Sequence, residues 1–409
     1  MPALGLQAVG TKIYRKGKPW RHIGVNHAML FMRELYTFDG VANPGLNADL
    51  DAIKARGIDL VRVGFGWFDY IRWRDLYWLN KAAYWAKVKE VLDAFAARDM
   101  LCIVGVAKGF LSFTQLSYYT TGATIPPGRI SEPGNPLYVL WADYVNEFVD
   151  RFANHPGVGM WEPGNEISAK LGAEYHRSWA MNGSAGVAYI TMGNKPEGGP
   201  YGVGEHMSPA EQVRFDHQFV DRCHSRDPHG RIVISGNAVG NAFAVGVRRQ
   251  NSLAADALAD WSGRADTGGT PWVPYRERPY DVICSHNYPL AARVGDSQFF
   301  SDGDRTIRQH IQLHKQWADA DGKPFVMEEF GSTRYGSEVD PVSVGSAAIE
   351  QANFNEALQA IVDYDVPIAL VWNWGGNVAG SIEWQLWDIT HPTRTYQLDA
   401  IQAVNASRF

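Results

Sequence analysis

The chain has 409 residues, of which 45% are hydrophobic and 20% are charged, and its formal net charge at pH 7 is −6. This composition is typical of a globular protein with a sizeable core, and a negative charge without a basic stripe argues against nucleic-acid binding. The 3 cysteines are too few for a disulfide framework, and no apolar run reaches the roughly 18 residues of a membrane-spanning helix.

The chain begins with a predicted β-hairpin, in which Lys12–Tyr14 and the segment from Trp20 flank a turn at Lys16–Lys18. Apolar, strand-like segments then alternate with segments of helical periodicity. The strands are predicted at His22–Asn26, Leu60–Phe65, Leu101–Ala107, Val158–Trp161, Ile232–Ser235, Asp281–Ser285, Phe325–Met327 and Ile368–Trp372. This alternation predicts an α/β fold, a (β/α)8 TIM barrel. A doubly wound open sheet is the alternative, but no Gly-rich nucleotide loop follows the first strand.

Three connections are unusually long, namely Lys108–Asn135, Ile167–Pro209 and Ser262–Arg278, and each contains aromatic residues. Active sites of barrels are built from the loops that follow the strands. We therefore expect these loops to form the walls of a cleft. No linker, repeat or low-complexity tract divides the chain, which predicts a single catalytic domain over residues 1–409.

Two short motifs place glutamates after predicted buried strands: the segment Trp161–Glu166 ends in one, and the segment Val326–Gly331 contains Glu328 and Glu329. A retaining glycosidase needs two carboxyl groups about 5 Å apart, one as acid/base and one as nucleophile. Barrel strands that end at one face can supply them from distant points of the chain. The motifs therefore predict glycoside hydrolysis, with Glu166 as acid/base and Glu329 as nucleophile.

Glu328 is the alternative nucleophile. Successive residues of a strand point to opposite faces, so only one of Glu328 and Glu329 is expected to face the barrel mouth. A surface acidic pair is the structural alternative for both. The preceding apolar run and the following Phe330 and Gly331 favour a site at a strand end.

Other predicted strand ends carry groups that suit a sugar-binding site. Asn165 can hold a sugar hydroxyl, and Arg62, a charge inside an apolar strand, is expected to pair with a catalytic carboxylate. His286 can bind a sugar hydroxyl or tune Glu166, and Tyr288 can donate a hydrogen bond to the nucleophile.

The 15 tryptophans have flat indole faces that suit stacking on sugar rings, although most tryptophans of a protein fill its core. Trp67, Trp161, Trp372 and Trp374 lie where strands are predicted to end. We expect Trp372 to form the apolar floor under the sugar that is cleaved. Trp67 and Trp374 are expected to contact the substrate as well.

No motif indicates a metal or a cofactor. His310 and His314 lie in a helical context and are assigned no role, and neither a cysteine pair nor a calcium-binding loop is present in the sequence. A serine hydrolase is disfavoured because no Gly-x-Ser-x-Gly elbow follows a strand. Hydrolysis is therefore expected to proceed without a metal or cofactor.

The order and strand positions of these residues resemble glycoside hydrolase family 5, and the resemblance covers most of the chain. It rests on Arg62, Asn165, Glu166, His286, Tyr288, Glu329, Phe330, Gly331 and Trp372. It implies a (β/α)8 barrel and a retaining mechanism. The motifs Trp-Glu-x-Gly-Asn-Glu and Glu-Glu-Phe-Gly look most like those of endo-β-1,4-mannanases. In that group the second glutamate of the pair would be the nucleophile, which supports Glu329 over Glu328.

The sequence departs from the family pattern in three places. Ile167 stands where the family often has a proline, and Asn26–Met29 lacks an aromatic residue that mannanases often have nearby. Val104–Lys108 lacks the histidine with which many cellulase-type members end the third strand. This last difference argues against an ordinary cellulase and leaves the contact from the third strand unassigned.

The sequence thus predicts a retaining enzyme that cleaves β-1,4-mannan or a related β-glycan. The alternatives are a β-glucan-active or exo-acting β-glycosidase and, in a different class, a non-catalytic carbohydrate-binding barrel. We expect a carbohydrate substrate as the partner, no nucleic acid, no membrane and a monomeric chain. A polysaccharide substrate favours a secreted or periplasmic location, although Met1–Gly10 has no basic-then-apolar signal pattern.

Overall fold

The computed structural model describes residues 3–31, 44–68, 71–107, 111–165, 209–236, 279–288, 306–333, 345–375 and 387–407. Ten strands lie in these ranges. They are β1 (Leu6–Val9), β2 (Lys12–Arg15), β3 (Lys18–Pro19), β4 (His22–Asn26), β5 (Leu60–Gly64), β6 (Leu101–Gly105), β7 (Val158–Glu162), β8 (Ile283–Asn287), β9 (Phe325–Phe330) and β10 (Ile368–Val371).

The strands form two sheets. β1, β2 and β3 form an antiparallel sheet, so the predicted hairpin has one strand more than expected. The other seven strands are parallel, in the spatial order β7-β6-β5-β4-β10-β9-β8.

The segment predicted as the fifth barrel strand, Ile232–Ser235, lies between β7 and β8. A parallel bridge joins Trp161 to Val233, and the backbone N–H of Ile234 donates to the Trp161 carbonyl oxygen at 2.8 Å. On the other side, the backbone N–H of Asp281 donates to the Val233 carbonyl oxygen at 3.1 Å. This segment completes the ring of strands, and the fold is the predicted (β/α)8 barrel.

Helices surround the ring. They are α1 (Pro44–Ala55), α2 (Ile71–Leu79), α3 (Lys81–Ala96), α4 (Leu111–Thr121), α5 (Pro136–Phe152), α6 (Pro209–Arg226), α7 (Ile307–Ala320), α8 (Ala347–Asp363) and α9 (Thr395–Ser407), with short 3-10 helices at Pro127–Ser131 and Pro392–Arg394. Local sequence fixes several starts. The Asn135 side chain caps α5, and Thr306 forms a capping box with Gln309 at α7. In the described ranges, no helix is long and apolar enough to cross a membrane.

The strands alternate between two apolar surroundings. Residues such as Val61 and Val63 point outward and pack with the helices, whereas Leu60 belongs to a second cluster inside the ring. We call this second cluster the lower interior cluster. It consists of Leu6, Ile13, Trp20, Leu60, Leu101, Ile103, Met160, Ile232, Ile234, Val282, Cys284, Val326, Ile368 and Leu370. The next inward position on β5 after Leu60 is Arg62, so the interior changes from apolar to charged within two residues.

Candidate active site

Arg62 is the hub of a buried polar network and has only 5% of its surface exposed. Its Nε and Nη2 donate to the two carboxylate oxygens of Glu162 at 2.6 and 2.7 Å. Nη1 donates to Glu329 Oε1 at 2.6 Å and to Asn26 Oδ1 at 3.1 Å, and Nη2 also donates to Asn165 Oδ1 at 2.7 Å. Burial acts to lower the pKa of Arg62, but the surrounding carboxylates, Glu162 foremost, raise it well above its ordinary value.

Glu329 is contacted from two other strands, β5 and β8. Arg62 on β5 donates to its Oε1, and the Tyr288 hydroxyl, just after β8, donates to its Oε2 at 2.5 Å. Nδ1 of His286, on β8, lies 3.3 Å from the same Oε2. The structure therefore brings Arg62, Asn165, His286 and Tyr288 together around the predicted nucleophile, whose exposed fraction is 3%.

A β-bulge in β9 changes the relation between the two adjacent glutamates. Ser285 of β8 pairs with Met327, but the next residue, His286, pairs with Glu329, so Glu328 is the extra residue. The prediction that only one of the two glutamates faces the barrel mouth assumed a regular alternation of side chains, which the bulge interrupts. Each carboxyl group lies within 4 Å of a ring nitrogen of His286.

Glu328 nevertheless has different surroundings from Glu329. It has no exposed surface, and His286 Nε2 lies 3.8 Å from its Oε2. Burial, and next the charge of Glu162, raise the pKa of the Glu328 carboxyl group above its ordinary value. Among the described residues, the donors suited to an ionised nucleophile thus lie at Glu329 and not at Glu328.

Glu166, the predicted acid/base, lies outside the described residues. The same holds for residues 108–110 at the start of the first long connection, for the connection from Ile167 up to residue 208, and for Ser262–Arg278. The residue before Glu166 is described. Because Asn165 and Glu329 both accept from Arg62, the chain at the end of the Trp161–Glu166 motif reaches the same polar network.

The predicted tryptophans differ in exposure. Trp372 follows β10 and is partly exposed, and its peptide bond to Asn373 is cis. Trp67 has no exposed surface, packs in the outer core and donates its indole N–H to the Gly64 carbonyl oxygen. Trp374 is 6% exposed and belongs to the same core. The expectation of substrate contact is not supported for Trp67 and Trp374, because core side chains already cover their rings.

Sequence reasoning missed two members of the network and one ring beside it. Glu162 lies inside the Trp161–Glu166 motif, and Asn26 ends β4; each is the inward-facing residue at the carboxyl end of its strand. An inward-facing polar residue at the carboxyl end of a strand is the sequence feature that could have identified both. Trp387, which packs edge-on to Tyr288 with ring centroids 4.8 Å apart, has no such signal because it comes from outside the strands.

A comparison with models of known protein families finds a match over most of the chain. A model described as Cellulase (glycosyl hydrolase family 5) matches residues 16–378. A search of curated protein sequences found no match.

Solved structures with a similar fold come from several organisms. An endo-1,4-β-mannanase from Rhizomucor miehei is 13% identical with a TM-score of 0.61, covering 99% of this chain and 100% of that chain. A GH5_18 protein from Streptomyces cattleya in complex with GlcNAc is 17% identical with a TM-score of 0.62, covering 95% and 80%. A β-glucanase from Saccharophagus degradans is 14% identical with a TM-score of 0.54, covering 100% and 94%.

Proposed function

Since this chain belongs to glycoside hydrolase family 5, we propose that it cleaves β-linked glycans with retention of configuration and that β-1,4-mannan is its substrate. Glu329 attacks the anomeric carbon to form a covalent glycosyl-enzyme while Glu166 protonates the departing oxygen. Glu166 then activates the water that hydrolyses this intermediate. The catalytic unit is a single domain over residues 1–409, acts as a monomer and uses no metal or cofactor.

The position of Glu329 carries this proposal. A nucleophilic carboxylate has to be charged, and it has to be oriented before the substrate arrives. Arg62 supplies a positive charge to one oxygen of Glu329, and Tyr288 supplies a hydroxyl donor to the other. Arg62 lies on β5 and Tyr288 directly follows β8, so two different strands position this carboxylate.

The role of Glu166 is supported by its neighbour. Asn165 Oδ1 is 2.7 Å from Arg62 Nη2, and Arg62 Nη1 is 2.6 Å from Glu329 Oε1. One guanidinium group thus links the residue before the proposed acid/base to the proposed nucleophile. This arrangement suits two carboxyl groups that act on the same glycosidic bond.

Mannan is placed first because of the Trp-Glu-x-Gly-Asn-Glu and Glu-Glu-Phe-Gly motifs and because mannanases are among the proteins of similar fold. A β-glucan substrate is the second candidate, favoured by the β-glucanase of similar fold.

The substrate is tested by incubating the purified chain with mannan, carboxymethyl-cellulose, xylan and aryl β-glycosides. Mixed short oligomers from mannan would support endo-mannanase action, whereas activity on another glycan alone would refute the mannan assignment.

The nucleophile is tested by Glu329→Ala. We expect kcat to fall on the order of 10⁴-fold, because the covalent step loses its attacking group. Glu90→Ala, on helix α3, is the matched control and should leave kcat unchanged because Glu90 forms an ion pair with Lys87 on the same outer helix. A mechanism-based fluoro-sugar should label the peptide that contains Glu329. A folded Glu329→Ala protein with normal turnover, or a label on another peptide, would contradict the assignment, and a non-catalytic barrel would form no adduct.

A further inference from the structure

The carboxyl group of Glu328 is buried beside the network but is not held by it. Its exposed fraction is 0%, and within the described part of the chain neither carboxyl oxygen has a hydrogen-bond donor. Transferring a charged carboxylate to such a place costs far more free energy than transferring the neutral acid. Its surroundings therefore favour the protonated form.

The charges around Glu328 lead to the same conclusion. The ionisable groups near it are Arg62 on β5, Glu162 on β7, His286 on β8 and Glu329 on β9 itself. The positive charge of Arg62 is already shared by two carboxylates, Glu162 and Glu329. A third negative charge would require a protonated His286 as its partner.

The imidazole ring of His286 lies between the two adjacent glutamates. Its Nε2 is 3.8 Å from Glu328 Oε2, and its Nδ1 is 3.3 Å from Glu329 Oε2. The raised pKa of Glu328 agrees with a neutral acid at this position.

We propose that Glu328 is a positioning residue that keeps its proton, points it toward Nε2 of His286 and so holds the imidazole proton on Nδ1, facing Oε2 of Glu329. This inference rests on the proposed role of Glu329 as nucleophile. With the proton on Nδ1, His286 offers Glu329 a donor beside the Tyr288 hydroxyl. With the proton on Nε2, the Nδ1 lone pair would face Oε2 and repel it. Both contacts are long without substrate, as catalytic hydrogen bonds often are before the complex forms.

The tautomer of His286 is measured by nitrogen-15 NMR of the full-length, substrate-free protein, with the His286 signals assigned from a His286→Asn variant. We expect a neutral ring with the proton on Nδ1 in the wild type and in Glu328→Gln, because the Gln amide N–H can donate to Nε2 in place of the acid. In Glu328→Leu that donor is lost, and the proton should move wholly or partly to Nε2. A wild-type imidazolium, a wild-type Nε2–H ring, or an unchanged tautomer in Glu328→Leu would overturn the proposal.

Kinetics of the same variants on the cleaved glycan provide the functional test. Glu328→Leu should lower kcat about 10- to 100-fold with KM changed less than about threefold, since the nucleophile is misoriented while substrate binding persists. Glu328→Gln should restore kcat to within about threefold of the wild type. Equal losses in both variants would show that a negative charge is needed and would refute a neutral acid.

Melting temperatures establish that the variants are folded, and if Glu328→Leu does not fold, the tautomers of the wild type and Glu328→Gln still decide the question. The tautomer is read without substrate. A protein that cleaves no tested glycan would therefore refute the proposed function while leaving the test of Glu328 intact.

Discussion

The lower and upper parts of the barrel interior obey the same strand geometry but have opposite chemistry. Below, Leu60, Ile103 and Met160 pack in an apolar cluster that the N-terminal sheet closes. Two residues further along the same strands, the inward positions hold Arg62 and Glu162, with Gly105 between them on β6. A Cβ at Gly105 would lie 3.2 Å from the Val63 carbonyl oxygen, which is tighter than an ordinary contact, so glycine suits the close approach of β5 and β6 here.

The difference teaches that each layer is stabilised in its own way. The lower cluster gains free energy by removing apolar area from water, and any apolar side chains that fill the space serve this purpose. The upper layer buries charges, which is costly unless every partner is present. Glu162, Glu329 and Arg62 therefore depend on one another, whereas truncating a residue of the lower cluster leaves no charge unpaired.

Breaking the upper layer should have the largest effect. Arg62→Met keeps much of the side-chain volume but leaves Glu162 and Glu329 buried without their cation, so we expect a loss of about 3–5 kcal/mol in the free energy of unfolding, measured by urea denaturation. Turnover should fall as well, because Glu329 loses the donor to Oε1. Arg308→Met, which removes a partly exposed arginine paired with Glu356, is the control and should cost much less. Equal losses in the two variants would contradict mutual dependence in the upper layer.

Removing apolar volume from the lower cluster should have the next largest effect. Ile103→Ala deletes fully buried carbon atoms, and we expect a loss of about 3 kcal/mol in the free energy of unfolding. The kcat of the folded fraction should stay unchanged, since Ile103 lies in the layer below the polar network. Val139→Ala, at an exposed position of α5, is the control and should be nearly neutral. A large fall in kcat for Ile103→Ala would mean that the two layers are energetically coupled.

A buried histidine at the outer face of β9 makes the stability of the protein depend on pH. His314 of α7 is fully buried against Phe325, and burial lowers its pKa from 6.5 to about 4. The unfolded chain therefore binds a proton at this site before the folded protein does, so stability is complete above pH 6.5 and is lost as the pH falls toward 4. The expected loss is about 2 kcal/mol at about pH 5.

Urea denaturation at about pH 5 and about pH 8 would measure this loss. His314→Gln should be less stable at both pH values but should have a smaller difference between them, because the titrating ring is gone. An undiminished pH difference in the variant would assign the acid sensitivity to other groups.

Several contacts of the site could be predicted from the sequence, and the structure explains why others could not. Arg62 was predicted to pair with a carboxylate because a charge inside an apolar strand needs one, and it contacts Glu329 as expected. Its closer association with Glu162 was not predicted, because register between β5 and β7 depends on β6 and on a shift within β7. Trp67 and Trp374 were assigned to substrate by their place at strand ends, but the direction of each ring depends on core packing.

The sequence by itself determined the periodic features of this protein. Alternation of apolar segments with helical ones specified the (β/α)8 barrel, and polar residues at the ends of strands marked the functional face, because both patterns are local and repeat along the chain. Tertiary structure alone decided which groups meet. The bulge in β9 turns Glu328 and Glu329 to the same interior, and strands distant in sequence place one guanidinium between two carboxylates. Register, bulges and charge pairing arise from contacts across strands, and no local pattern of residues encodes them.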